Sequence, residues 1–399
     1  MVAEVREGLR PRNGPGCLWN FALSLASLLL ALLVCEMGAR VLLPRPQTVR
    51  LEDTAAADAT TYEPRKTEES GHIDTVLLWG GPRGLRIRPN TRAEIRNHTL
   101  SHADVVLNIN SVGVRYDELG PKAPGEFRVL VLGDSITFGD FVKEEQTLTR
   151  RLEGLTRGRR RTIRFINAGL PGVGTMEEFY FYTELKDRVD PDLVLVGMYL
   201  NDAVNADRFY ARAIPYPFAR SRFFSWVASR FQILDARLFR PTSPGSIDPE
   251  WREAFRRERN PTAGNMFQDR GAFDFEIYNA YMDFGLGWYP KAWALIGEMM
   301  TVFKKSVDES GRPLAVFLFP VHMQVMGTVE DFEPQEQCRT MCARLGIPFH
   351  DLVPPLRSDW QAHHERLFYD HCHYTPYGYG VVAGDVLGWL DAERLIPGD

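Results

Sequence analysis

Hydrophobic and polar positions divide the chain into three regimes. From Leu18 to Cys35 every residue is apolar except Asn20, Ser24 and Ser27. A helix over that run rises about 27 Å, near the roughly 30 Å hydrocarbon core of a bilayer. Glu36 and Arg40 follow at i, i+4 spacing and can pair at an interface. The helix can continue to about Leu43, before Pro44. The pattern predicts an N-terminal tail over 1–16 and a transmembrane anchor over 17–43. A cleaved signal peptide has a shorter apolar region, about 7–15 residues, and an A-x-A site that is not found here. Cys35 is a poor lipidation site, because Val34 is bulky where a small residue is wanted. Arginines flank both ends (Arg6, Arg10 and Arg12 before; Arg40, Arg45 and Arg50 after), so the positive-inside rule does not orient the span. A short tail before a large domain predicts a single-pass protein with the domain outside the cytoplasm.

The second regime is polar. Residues 44–75 are rich in Ala, Thr, Asp and Glu and read as a linker. Residues 76–126 carry short β-like stretches and turn signals such as Gly80-Gly81-Pro82 and Pro89-Asn90, which predict a small β-rich lead-in. In the third regime, 127–399, short apolar runs alternate with helical patterns. The runs are Arg128–Leu132, Ile163–Ile166, Leu193–Met198, Leu314–Phe319 and Ile347–His350. Helical patterns lie at Glu145–Leu155, Met176–Arg188, Trp293–Val307, Pro334–Leu345 and Tyr379–Arg394. Buried strands alternating with helices indicate a parallel sheet covered on both faces. The alternation breaks over 203–290, an insertion rich in aromatics and arginines, including Phe223, Trp226, Trp251 and Trp288. Such an insertion is either a lid or substrate platform, or a helical excursion packed on the domain.

The chain has 399 residues and a formal net charge of -5, with 47 basic and 52 acidic residues. No basic field is available for nucleic acid. The cluster Arg157, Arg159, Arg160 and Arg161 has no interleaved aromatics and reads as a solvated loop. Five cysteines are too few and scattered for a disulfide framework. Cys338 and Cys342 stand at i, i+4, a poor geometry for a bridge. The sequence displays neither a metal-type Cys/His cluster nor an internal repeat.

The chemistry concentrates at strand ends. The apolar run Val129-Leu130-Val131-Leu132 leads into Gly133-Asp134-Ser135. Ligands of open α/β sheets bind outside the carboxyl ends of the strands, so Ser135 is placed as a nucleophile. Its hydroxyl needs a base, and none is local. Near the C-terminus, Asp370-His371-Cys372-His373 places a carboxylate three residues before an imidazole. Asp370 can hold the ring tautomer and His373 can take the Ser135 proton. Asn167-Ala168-Gly169-Leu170-Pro171-Gly172 follows the second run, and Asn201-Asp202 follows the third. The Gly172 amide and the Asn201 side chain can supply oxyanion donors, with the Ser135 N–H as a third. Taken singly, Gly172 and Asn201 read equally as a turn glycine and a strand-end cap. Cys372 reads as a space-filling residue. His322 reads either as a pocket lining or as a surface-loop histidine.

Together, in this order, these blocks resemble the SGNH (GDSL-type) hydrolase superfamily, over about Asn108 to Leu390. The matching residues are Gly133-Asp134-Ser135, Asn167 with Gly172, Asn201-Asp202, and Asp370 with His373. The lead-in Ile109-Asn110-Ser111-Val112-Gly113-Val114-Arg115 is similar to that of bacterial membrane-attached members. The resemblance implies a flavodoxin-like three-layer α/β/α fold with a central parallel sheet. It implies a catalytic triad of Ser135, Asp370 and His373, and an oxyanion hole of Ser135, Gly172 and Asn201. The chain departs from the pattern at Tyr199, where members usually carry Gly, and at Tyr374, where many carry Pro. Both changes adjoin the site and bear on substrate shape.

The implied activity is serine ester hydrolysis through an acyl-enzyme, on O-acyl groups of surface carbohydrate or on lipid esters. A polysaccharide O-acyltransferase with the same triad is the alternative. A non-catalytic glycan-binding module is the alternative of another class. No metal or organic cofactor and no nucleic-acid partner is implied, and the membrane is reached through the N-terminal helix.

Overall fold

The computed structural model describes residues 15–42, 48–53, 78–81, 84–98, 100–202, 221, 223–224, 227, 290–326 and 332–398. The apolar N-terminal run is one helix, α1 (Pro15–Leu42). It is long and apolar enough to cross a membrane. Leu23, Leu25, Leu28, Leu29, Leu30 and Leu33 face outward without protein cover. Arg40 Nε donates to Glu36 at 2.8 Å, as the i, i+4 spacing predicts. Glu36 also accepts from the Ser221 hydroxyl at 2.6 Å and from the Phe223 N–H at 3.1 Å. The rest of the expected insertion over 203–290, including Trp226, Trp251 and Trp288, lies outside the described residues, apart from Phe224, Val227 and Pro290.

The lead-in comprises β1 (Thr48–Asp53), β2 (Leu78–Gly81), β3 (Gly84–Ile87), β4 (Thr91–Arg96) and β5 (Val105–Ile109). Strands β1, β4 and β5 form an antiparallel sheet, and β2 pairs with β3. Alternate residues Ala93 and Ile95 of β4, and Val105, Leu107 and Ile109 of β5, are buried, the period of two that a half-covered sheet requires. Part of the stretch expected to be a linker is therefore a strand. Thr48–Asp53 pairs with the whole of β4. Its alternation, Val49 and Leu51 between polar residues, is too short to stand out from the polar segment around it.

The α/β domain runs through β6 (Phe127–Gly133), α2 (Ser135–Phe138), α3 (Leu148–Leu155), β7 (Ile163–Gly169), α4 (Thr175–Val189), β8 (Leu193–Met198), α5 (Pro290–Glu309), β9 (Leu314–Leu318), α6 (His322–Val325), α7 (Glu333–Leu345), β10 (Phe349–Asp351), α8 (Val353–His363) and α9 (Pro376–Ala392). All five strands pair in parallel, in the order β10-β9-β8-β6-β7. That is the flavodoxin-like order, with the chain reversing direction across the sheet beside β6. β8 and β9 are buried along their whole length, as expected of strands covered on both faces. Helix α5 packs against α4 and α7, and α9 packs against α3 and α8 to form the second group. The result is a three-layer α/β/α fold. Helix α8 has no counterpart in the sequence reading. Its opening Val353-Pro354-Pro355 looks like a breaker, yet proline is tolerated in a first helical turn, where its missing N–H has no partner to lose.

Candidate active site

The reversal point places β6 between β7 and β8, so the carboxyl ends of these three strands share one rim. Three glycines stand abreast there, Gly169, Gly133 and Gly197, in paired register. A Cβ on Gly133, whose φ is +151°, would lie 2.2 Å from Thr137 Oγ1 and 2.8 Å from the Gly197 carbonyl. One on Gly169 would lie 2.3 Å from the Phe138 nitrogen. Only bare backbone lets α2 sit this close to the sheet.

Helix α2 begins at Ser135. Asp134 caps it, its Oδ1 accepting from the Ile136 N–H at 2.8 Å. Gly139 closes it in the left-handed conformation and donates to the Ser135 carbonyl at 2.8 Å. From β7, the Asn167 side chain donates to the Phe138 carbonyl at 3.2 Å and accepts from the Gly169 N–H at 3.1 Å. Arg115, fully buried, donates to the carbonyls of Phe138 and Val142 at 3.0 and 2.9 Å, and also to that of Gly139. In the sequence Arg115 is only the last residue of the lead-in motif, with nothing to mark a role. Its partners show that the lead-in clamps the turn behind Ser135.

The loop between α8 and α9 brings the other two residues. Phe368 bridges Tyr374, and the Thr375 N–H donates to the Leu367 carbonyl at 2.9 Å, closing the loop. Thr375 caps α9, accepting from the Gly378 N–H at 3.1 Å. A Cβ on Gly378 would stand 2.2 Å from the Leu367 carbonyl, so the loop can seat against α9 only at a glycine. Within the loop Asp370 Oδ1 accepts from the backbone N–H groups of His373 and Cys372 at 2.7 and 2.9 Å. Its Oδ2 lies 2.6 Å from His373 Nδ1. His373 Nε2 lies 2.9 Å from Ser135 Oγ. The structure thus joins Ser135, His373 and Asp370 in one hydrogen-bonded line. Burial opposes ionisation of Asp370, but the neighbouring histidines and their hydrogen bonds outweigh it and hold the carboxyl well below its usual range. Burial likewise disfavours a charged His373, and the Asp370 carboxylate overcomes it, raising the imidazole well above an ordinary histidine. The Phe141 ring meets the imidazole edge-on at 4.9 Å and fixes its face. Asp140, the preceding residue, is buried and lies 3.3 Å from His98 of the lead-in.

Gly172 lies beyond β7, with φ of +69°, and Asn201 lies beyond β8, both at the rim that carries Ser135. Asn201 Oδ1 is buried with no hydrogen-bond partner among the described residues. His322 is buried, not on a surface loop. Its N–H donates to the His371 carbonyl at 2.8 Å and its ring meets Phe368 edge-on. Cys372 is buried, with Sγ 3.4 Å from His371 Nε2 and 3.6 Å from His373 Nδ1. The two departures from the family pattern, Tyr199 and Tyr374, are both fully buried. Tyr374 packs against Phe319, Phe368 and Tyr379. They fill the domain interior rather than reshape an open pocket.

No family model and no curated protein matches the chain. Among solved structures it is similar to a member of the lipolytic G-D-S-L family from Veillonella parvula, at 13% identity and a TM-score of 0.35, over 66% of this chain and 97% of that one. It is similar to an acetyl xylan esterase at 12% identity and a TM-score of 0.36, over 66% of this chain and 98% of that one. It is also similar to a psychrotrophic esterase from Pseudoalteromonas sp., at 10% identity and a TM-score of 0.37, over 67% and 99% of the two chains. Likeness at this level carries no argument about activity, which rests on the residues around Ser135.

A second group of carboxyls lies behind the site. Glu178 of α4 is fully buried, and neither of its carboxyl oxygens has a hydrogen-bond partner among the described residues. Burial, then the charges of Asp134 and Glu177, raises it well above the usual carboxyl range. Asp202 is raised by burial and then by Glu178, although its Oδ2 accepts from the Tyr199 N–H at 3.0 Å. A carboxyl raised on folding binds its proton more tightly in the native state. Stability is therefore full below the ordinary carboxyl range and falls as pH rises through it towards the folded value. Glu178→Gln keeps the shape and removes the titration. The variant is expected to melt above the wild type at neutral pH, with the difference closing at acid pH. Thermal melts across that range check this, and a difference independent of pH contradicts it.

Proposed function

We propose that the protein is a serine esterase working through an acyl-Ser135 intermediate, on O-acyl groups of surface carbohydrate or on lipid esters. The single observation that carries the reading is the unbroken line from Ser135 Oγ through His373 to Asp370, at 2.9 and 2.6 Å, at the rim where the sheet reverses. Ser135 Oγ attacks the acyl carbonyl and its proton passes to His373 Nε2. Asp370 stabilises the imidazolium so formed. The oxyanion faces the N–H groups of Ser135 and Gly172 and the amide of Asn201. Collapse expels the alcohol, which takes the proton back from His373. Water then repeats the sequence on the acyl-enzyme. A polysaccharide hydroxyl in place of that water gives the transferase alternative. In the same reading α1 spans the membrane once, with the α/β domain outside the cytoplasm.

Ser135→Ala is expected to lower turnover on acetylated sugars or short acyl esters by roughly 10⁴-fold or more, with the fold retained. Labelling by a fluorophosphonate probe is expected to disappear with it. Near-native turnover in that variant, in preparations free of other esterases, rules the mechanism out.

Asn201→Ala is expected to reduce kcat by about 10²–10³-fold with little change in KM, because the amide acts on charge that develops only in the transition state. A lower melting temperature with wild-type kcat per folded molecule would instead make Asn201 a strand-end cap.

The full chain is expected to stay with membranes through alkaline carbonate extraction, and protease added to intact cells is expected to reach the α/β domain. A mature N-terminus beginning after Gly38 would mark a cleaved signal and overturn the anchor.

A further inference from the structure

Cys372 takes no part in the ester chemistry, yet its thiol sits among the groups that govern it. Asp370, Cys372 and His373 each turn one ligand atom inward, and these atoms lie within 4.8 Å of one another. The Cys372 sulfur stands 3.6 Å from His373 Nδ1 and 3.4 Å from His371 Nε2. A tetrahedral zinc ion, with bonds of about 2.3 Å to sulfur and about 2.0–2.1 Å to nitrogen, separates those two donors by roughly 3.6 Å. The thiol and the imidazole therefore already stand at zinc-ligand spacing. Asp370 Oδ2 and His373 Nδ1, now 2.6 Å apart, need to open by less than about 1 Å to share the ion. Asp370 and Cys372 are buried, while the His373 side chain keeps 19% of its surface exposed.

We infer that Asp370, Cys372 and His373 form an inhibitory zinc site built into the triad loop, with His371 or a water as fourth ligand. Its effect on hydrolysis rests on the esterase reading above. The step balances simply. The thiol releases its proton to solvent and becomes the thiolate ligand. Zinc takes the Nδ1 lone pair, so the one proton that the neutral imidazole retains sits on Nε2. That nitrogen then donates towards Ser135 Oγ and can no longer accept its proton. No electron is transferred, and removal of the ion restores the triad. Soft thiolate and borderline imidazole with one carboxylate favour zinc over magnesium or calcium, which prefer all-oxygen shells.

The test uses the full chain in detergent, reduced and metal-free, with cobalt(II) as the spectroscopic probe and zinc(II) as the inhibitor. One equivalent of cobalt is expected to give a thiolate-to-cobalt charge-transfer band and the strong visible absorption of a tetrahedral ion, both lost on adding zinc. Cys372→Ser is expected to lack the charge-transfer band. It should hydrolyse esters as the metal-free wild type does and need at least tenfold more zinc for half-inhibition. A chelator should restore the wild type. Absence of a thiolate band, the same band in Cys372→Ser, or equal zinc sensitivity of the two proteins overturns the site. A Cys372-dependent band in a chain that hydrolyses no ester supports the site and rejects the esterase reading. Hydrolysis without such a band rejects the site alone.

Discussion

Everything at the candidate site follows from one close approach, that of helix α2 to the rim of the sheet. A side chain at Gly133 or Gly169 would occupy the space that Thr137 and Phe138 fill. Because that row of the sheet is bare, the first helical residue after β6 emerges at the point where the strands on either side diverge. Ser135 therefore needs no strained backbone of its own. Its placement comes from missing atoms in its neighbours, a constraint that close packing makes stringent.

The rest of the site is organised around burying a carboxylate. A charge as enclosed as Asp370 is costly unless its oxygens are satisfied. Here two backbone N–H groups of its own loop and the imidazole of His373 meet that need. The same contacts that make the carboxylate tolerable aim the imidazole at Ser135. Glu178 and Asp202 meet the opposite solution a short distance away. Glu178 has no such donor among the described residues and Asp202 has only the Tyr199 N–H, and burial raises both carboxyls well above the usual range. Equally buried, the two kinds of carboxyl are separated by their neighbours: histidines beside Asp370, other carboxyls beside Glu178 and Asp202.

Much of this was legible in the chain. The five apolar runs became the five parallel strands because each is short, continuous and bounded by turn residues. Ser135, Asp370 and His373 could be placed because strand ends are marked by glycine and because aspartate and histidine sit at fixed spacing in one loop. What escaped has physical reasons. Strand β1 alternates over too few residues to rise above a polar background. Helix α8 opens on two prolines that look like an end. Arg115 and Phe141 act through contacts made only in three dimensions, and no local pattern distinguishes a buried arginine or glutamate from a solvated one. The grouping of Asp370, Cys372 and His373 was invisible as a metal motif, because its spacing belongs to no familiar zinc signature and only the loop's curl brings its atoms together.

Arg115 has a consequence for how the molecule comes apart. It belongs to the lead-in, just after its antiparallel strands, yet its guanidinium satisfies carbonyls in the turn after α2, from which Phe141 reaches the imidazole. Arg86 of β3 ties the same lead-in to Glu184 of α4 through two bonds of 2.6 Å. Loosening the lead-in would leave a buried guanidinium and several carbonyls without partners at once. The small antiparallel part and the turn after Ser135 therefore belong to one cooperative unit of opening, even though the sequence presents them as separate modules.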